Sequence, residues 1–299
     1  MTDSESLRDF LVSRRARIDP DSVGLPQSAV ARRRPGLRRE EVAVLAGVSV
    51  DYYARLEQGR VGNVSEQVLT AIENALRLDD LERAHLRALI APTPSRPRAP
   101  RPEKVRVRPG LRALIEAMDP TPAFLQGPRM EVLAWNRAAA VLVTDFGKLP
   151  AHERNILRWL LLDPIARIRY PQWEEVVAPT VAALRNARDP RIPDPALERL
   201  VGELSVASPD FARMWADYRL YKHGHGKKQI FHPEVGTILV NFETLDIDGS
   251  GGQFISAYTT DVGSPSAERL GLLLSWNASD SGAADTETAA TSTSRPPEE

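Results

Sequence analysis

The sequence contains no cysteine, little lysine and no long apolar run. Its 299 residues include no Cys, and 5 Lys stand beside 34 Arg. The lack of cysteine excludes disulfides, thiolate metal sites and cysteine nucleophiles. No apolar run approaches the ~18 residues of a membrane span, and the acidic, polar first residues do not resemble a signal peptide. We therefore expect a cytoplasmic protein with no membrane partner.

Charge and tryptophan are distributed unevenly along the chain. The net charge is -1, but residues 1–106 carry +4 and residues 107–299 carry -5. All five Trp lie beyond residue 130. The first third is therefore the better candidate to bind a polyanion. Because Arg is so abundant throughout, an isolated Arg has little weight as a functional signal.

Composition divides the chain into four predicted segments. Residues 1–91 have no Trp and are predicted to be all-helical, with five helices. Residues 92–109 contain six Pro and six basic residues, which predicts a semi-rigid, positively charged linker. Residues 110–276 mix helical and strand patterns. Residues 277–299 are rich in Ser, Thr, Ala, Asp and Glu, so we expect a disordered tail.

Two short helices of the first segment have the spacing of a helix-turn-helix. The patterns predict helices over Arg38–Ala46 and Val50–Gln58. Gly47 suits the left-handed C-cap of the first, and Ser49 can cap the second. A fourth helix is predicted to begin at an Asn63 cap.

The second helix of this pair has one apolar and one free face. Tyr53 and Leu56 lie one helical turn apart and are expected to point inward. The face left free to enter a major groove then carries Val50, Asp51, Ala54 and Arg55.

The 22 residues from Arg38 to Gly59 closely resemble the phage-repressor (XRE) helix-turn-helix class. The resemblance implies binding to double-stranded DNA. It places base-reading positions on Val50, Asp51 and Arg55, and phosphate contacts on Arg38, Arg39 and Ser49. Arg55 can donate two hydrogen bonds to guanine. Asp51 either accepts from a cytosine amine or stabilises the helix N-terminus.

Two neighbouring features have alternative interpretations. Arg32-Arg33-Arg34 either adds contacts to the DNA backbone or is a solvated loop. Glu57 matches a position that is buried or capping in the class, so we interpret it as structural.

Strand patterns at both ends of the third segment, with helices between, predict an α+β domain with an antiparallel sheet. The predicted strands are Ala123–Gln126, Glu131–Trp135, an alternation through Ile238, Val240 and Phe242, and another through Phe254, Ser256 and Tyr258. Predicted helices lie around 136–146, 155–162, 173–188, 194–206, 209–221 and 266–276.

The order of short motifs in this segment resembles the ligand-binding domain of the MmyB-like transcription regulators, a PAS-like fold. The motifs are Val132–Asn136, Glu153–Asn155, Asp163–Arg167, Leu184-Arg185, Ser208–Phe211, Trp215 and His232–Gly236. The chain departs from the family pattern where Tyr218 replaces a frequent His, and where Trp159 and leucines replace a Phe. Both changes alter the shape of the pocket.

The resemblance implies an apolar cavity for a long acyl chain, such as a fatty acid, or a similar lipophilic effector. Aromatic residues that either line it or simply form the core are Phe124, Trp135, Phe146, Trp159, Trp173, Trp215, Phe242 and Tyr258; Tyr218 joins them as a pocket residue. Arg154, Arg158 and Arg167 either meet a carboxylate or make structural pairs.

A histidine group near residue 225 resembles a metal site only superficially. His223 and His225 precede His232, but Lys227 and Lys228 between them repel a cation. This segment is predicted to be an exposed hairpin entry, with a turn at His232-Pro233. No phosphate loop, nucleophile elbow or catalytic carboxylate pair is present in the sequence, so we expect no metal, no cofactor and no enzymatic activity.

The resulting hypothesis is a homodimeric DNA-binding transcription regulator on a palindromic operator, with a lipophilic small molecule as effector. Two alternatives remain open. In the first, the C-terminal domain is a dimerisation or protein-interaction platform without a ligand. In the second, it is an enzyme fused to a DNA-binding head.

Overall fold

The computed structural model describes residues 3–24, 36–91, 105–188, 192–221 and 224–290. In chain order its elements are α1 (Asp3–Arg17), α2 (Arg39–Ala46), α3 (Val50–Glu57), α4 (Glu66–Ala75), α5 (Asp80–Ile90), α6 (Pro109–Ala117), β1 (Ala123–Gln126), β2 (Val132–Trp135), α7 (Arg137–Leu142), α8 (Ile156–Leu162), α9 (Pro164–Arg169), α10 (Trp173–Asn186), α11 (Pro195–Ala207), α12 (Pro209–Ala216), β3 (His225–His232), β4 (Gly236–Asp246), β5 (Phe254–Thr259) and α13 (Pro265–Ala290). Short 3-10 turns occupy Pro20–Val23 and Phe146–Lys148. No helix in these ranges is long and apolar enough to cross a bilayer.

The chain folds into two compact units, each made of two separate stretches of sequence. The helical unit combines the described residues within 1–103 and 181–222, and the α/β unit combines those within 104–180 and 223–299. The predicted second domain covers the whole of 110–276, whereas in the structure residues 181–222 group with the N-terminal helices. The physical reason is that Tyr218 is buried in the N-terminal core and Leu220 packs against it.

The core of the helical unit is built from the apolar faces of α1 to α5. Its fully buried side chains include Phe10, Val42, Tyr53 and Ile72. The first residue of α4 follows Ser65, whose hydroxyl accepts a hydrogen bond from the Val68 N–H at 3.3 Å. The cap of α4 is therefore Ser65, two residues after the predicted Asn63.

The α/β unit contains a five-stranded antiparallel sheet in the order β2-β1-β5-β4-β3. This confirms the predicted fold class: an N-terminal helical region followed by an α+β domain. The strand predicted over 123–126 has the same bounds in the structure, and the predicted strand at 131 begins one residue later.

Strand register assigns side chains to the two faces of the sheet, because directly opposed residues share a face. One face, which we call the aromatic face, includes the opposed pairs Phe124–Trp135, Phe242–Tyr258 and Lys228–Val240. On the other face, Leu125 and Ile255 are opposed and belong to one buried cluster with Ile115 of α6. Both faces of β1 and β5 are therefore buried.

Three predicted boundaries are corrected by the structure. His225–His232 is a strand paired with β4 along its whole length, where an exposed hairpin entry was expected. The predicted tail begins at 277, but α13 continues to Ala290. Pro109 starts α6, so the linker is shorter than 92–109; its residues 92–104 and the tail's 291–299 lie outside the described ranges.

Candidate DNA interface and candidate ligand site

The corner between α2 and α3 has the predicted helix-turn-helix chemistry. Gly47 follows α2 with a φ of +65°, in the left-handed region that favours glycine. Ser49 caps α3, and its hydroxyl accepts the Tyr52 N–H at 3.1 Å. Ala43 is fully buried where the two helices meet. A larger side chain at that position would push α3 away from α2.

The outward face of α3 carries the three predicted base-reading residues. Val50 is 47% exposed, and Asp51 and Arg55 are exposed as well. Tyr53 and Leu56 of the same helix are buried. Ser49 supplies the capping hydrogen bond, and the Asp51 carboxylate lies in the first turn of α3, so base contact and stabilisation of the helix N-terminus both stay predictions for it.

Arg55 carries a guanidinium group that the protein leaves unused. Within the described ranges it makes no ion pair and no side-chain hydrogen bond, even though α3 contains two acidic residues. It is exposed near the end of a helix whose other face is held in the core. A guanidinium in this state keeps its five N–H donors for another molecule.

Glu57 lies beneath this face and is completely buried. Its Oε2 is 3.1 Å from Arg15 Nε of α1, and its Oε1 is 2.9 Å from Arg39 Nε and 2.8 Å from Arg39 Nη2. The carboxylate therefore ties α1, α2 and α3 together, consistent with its predicted structural role. Arg39 stays 40% exposed, so its remaining N–H groups can still reach a phosphate.

The other predicted phosphate contacts flank this network. Arg38 is half-buried just before α2, and its backbone N–H donates to Glu41 Oε2 at 2.6 Å. Ser49 is exposed at the start of α3. Arg32-Arg33-Arg34 lies outside the described residues. All the described phosphate-contact candidates thus lie next to the N-terminal ends of α2 and α3, where backbone dipoles favour anions.

The predicted ligand residues Trp215 and Tyr218 lie in the helical unit. The Tyr218 hydroxyl donates to the Ser6 carbonyl at 3.2 Å, and its ring contacts Phe10 and His85 edge-on. Arg14 Nη2 donates to the Tyr218 carbonyl at 2.8 Å. Tyr218 thus fastens the end of α12 to α1 and α5, a role that sequence reasoning missed.

Arg185 of α10 completes this part of the helical unit. Its guanidinium lies 4.0 Å from the ring centroids of both Trp215 and Tyr218 and donates to the Trp215 carbonyl. Burial lowers the pKa of Arg185 to about 10. Its motif partner in the sequence, Leu184, is fully buried. The Leu184-Arg185 motif therefore serves packing within the helical unit.

Six of the predicted ligand residues gather on the aromatic face of the α/β unit. Ring centroids of neighbouring members are 6.0 to 6.3 Å apart along the series Trp135, Phe146, Phe124 and Tyr258, with Trp159 beside Phe146. Phe242 is opposed to Tyr258 in the sheet. All except the half-buried Trp135 are buried. We call this group the aromatic cluster.

The remaining two predicted ligand residues have structural contacts. Arg154 Nε donates to the Leu149 carbonyl at 3.0 Å, and its guanidinium lies 5.5 Å from the Trp135 ring. Trp173 Nε1 donates to the Leu160 carbonyl at 2.7 Å, and Arg167 lies 3.8 Å from the Trp173 ring. Of the arginines considered for a carboxylate, Arg154 and Arg167 thus both pack on tryptophan rings.

Two residues that sequence reasoning did not select join the aromatic cluster. Tyr170 contacts the Trp159 ring at 6.1 Å and hydrogen-bonds to the Tyr258 hydroxyl. Lys228 Nζ lies 4.1 Å from the Phe242 ring centroid. The sequence contains a signal for Lys228. It lies two residues before Ile230 and four before His232, so in a strand all three side chains share one face.

The histidines do not assemble a metal site in the described part of the chain, where no three His, Asp or Glu side chains come together. His225 is exposed at one end of β3 and His232 is buried at the other. His223 lies outside the described residues.

Comparison with known families agrees with this geometry. The family model for the MmyB-like transcription regulator ligand binding domain matches residues 107–273, more than half of the chain, and a helix-turn-helix domain model matches residues 29–86. No curated protein matches the chain. A DNA-binding head and a domain for a small-molecule effector are thus combined in one polypeptide. The chain belongs to the MmyB-like transcription regulators.

Proposed function

We propose that the protein binds a palindromic operator as a homodimer, that α3 reads the bases in the manner of the XRE class, and that a lipophilic small molecule changes its affinity for that operator. The observation that carries the DNA-binding part is the state of Arg55. It is exposed on α3 and makes no side-chain hydrogen bond or ion pair within the described ranges, while the helix itself is held by buried Tyr53, Leu56 and Glu57. A rigid helix that presents an unused guanidinium suits recognition of guanine.

The two arginines next to α3 have different proposed roles. Arg55 reads a base, so binding to the specific sequence depends on it much more than binding to other DNA does. Arg39 divides its donors between Glu57 and a phosphate, so specific and non-specific DNA depend on it alike. A single head touches few base pairs, which is why two heads on half-sites about one helical turn apart are expected.

The proposed lipophilic effector belongs to the aromatic cluster. Rings that meet edge-on within one unit provide a continuous apolar surface for a hydrocarbon chain. In this proposal Phe124, Phe146 and Trp159 contact the effector directly, and Trp215 and Tyr218 act from the helical unit by stabilising the DNA-binding head. The protein has no enzymatic activity in this proposal, and its cytoplasmic location stays a prediction.

A binding titration tests the role of Arg55. The purified protein is first used to select a duplex that it binds from genomic fragments. The affinities for this duplex and for random DNA are then measured by fluorescence anisotropy. Arg55→Ala should weaken binding to the selected duplex about 10- to 100-fold, the value of one bidentate base contact, with a much smaller effect on random DNA. The matched control is Arg8→Ala, which removes an exposed charge from α1.

The same duplex also tests whether the protein binds DNA as a dimer. Footprinting should show two protected half-sites related by a two-fold axis. Equal losses on selected and random DNA for Arg55→Ala would reassign Arg55 to a phosphate contact, and a single asymmetric footprint would contradict the dimer. A regulator that binds DNA in this way but gives no saturable response to lipophiles would support the platform alternative.

A further inference from the structure

Lys228 differs from every other described lysine in its surroundings. It lies in β3 opposite Val240, on the aromatic face of the sheet. Its Nζ is 4.1 Å from the Phe242 ring centroid and 5.8 Å from that of Tyr258. The side chain is only partly exposed. The amine therefore lies against apolar rings while the side chain keeps some exposure to solvent.

Gly226 keeps this position open. It is two residues before Lys228 on the same face and is opposed to Phe242. A Cβ at position 226 would approach Phe242 Cε1 to 2.8 Å. The absence of a side chain there lets the Phe242 ring lie beside the strand, where the lysine amine reaches its face.

No carboxylate within the described ranges forms an ion pair with the Lys228 amine. On β5 the neighbouring titratable group is Tyr258, and burial raises its pKa to about 12. Tyr170, after α9, is neutral for the same reason, since burial raises its pKa well above the usual value. Both phenols are uncharged at neutral pH, so neither balances the amine.

The other titratable groups near this end of the sheet add no negative charge to its interior. Arg169 at the end of α9 donates through Nη1 to the Phe231 carbonyl at 3.2 Å, and burial lowers the pKa of His232. Glu234 is half exposed in the β3–β4 turn and approaches His232 to 4.0 Å. Glu234 therefore contacts the turn histidine rather than Lys228, and Asp261 pairs with the neighbouring Lys227.

Two further buried N–H groups of the same layer have no acceptor. Trp159 is 3% exposed, and its Nε1 has no hydrogen-bond partner within the described ranges. The buried Arg169 Nε is also without one. A buried donor without an acceptor costs roughly 1–3 kcal/mol. Trp159 contacts Tyr170, which in turn is bonded to Tyr258 beside Lys228. Within the described residues the Trp159 indole N–H is therefore a buried donor without an acceptor, at the other end of this series of contacts from Lys228.

We propose that Lys228 binds the carboxylate of the effector, whose apolar part lies against the aromatic cluster. This inference rests on the proposed ligand-sensing function and adds to it the residue that binds the acid group of the effector. Within this layer the acid supplies the acceptor that the structure lacks. Lys228 takes the role that sequence analysis offered to Arg154 and Arg167, which pack on tryptophan rings instead.

The neighbouring Lys227 provides a matched control. It points to the opposite face of β3, is exposed, and forms an ion pair with Asp261 at 3.4 Å. Lys227→Met removes the same charge from the same strand without changing the aromatic face.

The test uses the full-length protein and two probes with the same hydrocarbon chain, dodecanoic acid and dodecanol. Binding is followed by tryptophan fluorescence and by calorimetry, after delipidation and with circular dichroism as a check of folding. Wild type and Lys227→Met should bind the acid at least roughly 10-fold more tightly than the alcohol, the worth of one charge-assisted hydrogen bond. Lys228→Met should lose that preference yet still bind the alcohol, and Lys228→Arg should restore most of it.

Each outcome has a separate meaning. Equal binding of acid and alcohol by wild type overturns the role of Lys228 but leaves a lipophilic sensor. A preference for the acid that survives in folded Lys228→Met also overturns it. Saturable binding of neither probe contradicts the ligand-sensing function, and the inference fails with it.

Discussion

Two buried carboxylates of the helical unit and one lysine of the α/β unit have different surroundings. In the helical unit each buried carboxylate meets two arginines: Glu57 contacts Arg15 and Arg39, and Glu73 contacts Arg83 and Arg87. In the α/β unit the partly buried Lys228 has no carboxylate within the described ranges. Paired charges hold helices in place, whereas a buried charge without a counter-charge lowers the free energy of unfolding unless a ligand or another group pairs with it. Glu57 and Glu73 are thus charge-balanced within the helical unit, whereas Lys228 is left to bind a partner molecule, as proposed above.

The largest predicted effect concerns the paired carboxylates. Glu57→Gln should lower the free energy of unfolding by about 3 kcal/mol, because it leaves two arginines around a buried neutral amide. Glu73→Gln should cost less, since Arg83 and Arg87 are more exposed than Arg15. Chemical denaturation monitored by circular dichroism measures both values. Glu66→Gln, which removes an exposed partner of Arg87, is the control and should change little. Equal stability of Glu57→Gln and wild type would contradict the account of the helical core.

A second prediction uses His85, which lies in the helical unit between the Phe10 and Tyr218 rings. Burial, with Arg14 and Arg185 nearby, lowers the pKa of His85 to about 4. Unfolding returns this pKa to an ordinary value near 6.5, so the unfolded state binds more protons between these limits. The stabilisation is complete above about pH 6.5 and is lost as the pH falls towards 4.

The measurement compares wild type with His85→Phe in denaturation series across this pH range. The pH-dependent loss should be smaller in the variant by about 2–3 kcal/mol at pH 4, at up to about 1.4 kcal/mol per pH unit. Parallel stability curves for the two proteins would show that His85 titrates normally in the folded state.

The smallest predicted change in stability has the opposite sign. Lys228→Met should raise the free energy of unfolding of the ligand-free protein by about 1–2 kcal/mol, because an unpaired buried amine is replaced by an apolar chain of similar length. Lys227→Met should leave it unchanged or slightly lower. Thermal and chemical denaturation of both variants provide the comparison. A destabilised Lys228→Met would mean that Lys228 has an internal partner, as Glu57 and Glu73 do.

The helix-turn-helix could be predicted from sequence because its determinants are local. Gly47 and Ser49 fix the corner through backbone geometry and one hydrogen bond, and Tyr53 and Leu56 set the inward face of α3 by their spacing. The aromatic cluster could be predicted in part, because Phe124, Phe242 and Tyr258 alternate along strands. These signals extend over one turn or one strand and need no knowledge of distant contacts.

Long-range pairing could not be predicted in the same way. Nothing near Tyr218 in the sequence indicates that it contacts Ser6 and Phe10, about two hundred residues away. Arg39 resembles a free phosphate contact until Glu57 is seen between it and Arg15. Lys228 follows Lys227 in a segment predicted to be an exposed hairpin entry, and its alternation with Ile230 and His232 becomes informative only once the strand pairing with β4 is known.

The most direct test of the account is an anisotropy titration of the selected operator duplex with and without saturating dodecanoic acid. We expect the acid to change the Kd of wild type for the duplex several-fold, and Lys228→Met to need roughly 10-fold more acid for the same change. Any ligand acts in this way only through different affinities for the two DNA-binding states. The contradicting result is a wild-type Kd that stays the same while tryptophan fluorescence shows that the acid is bound.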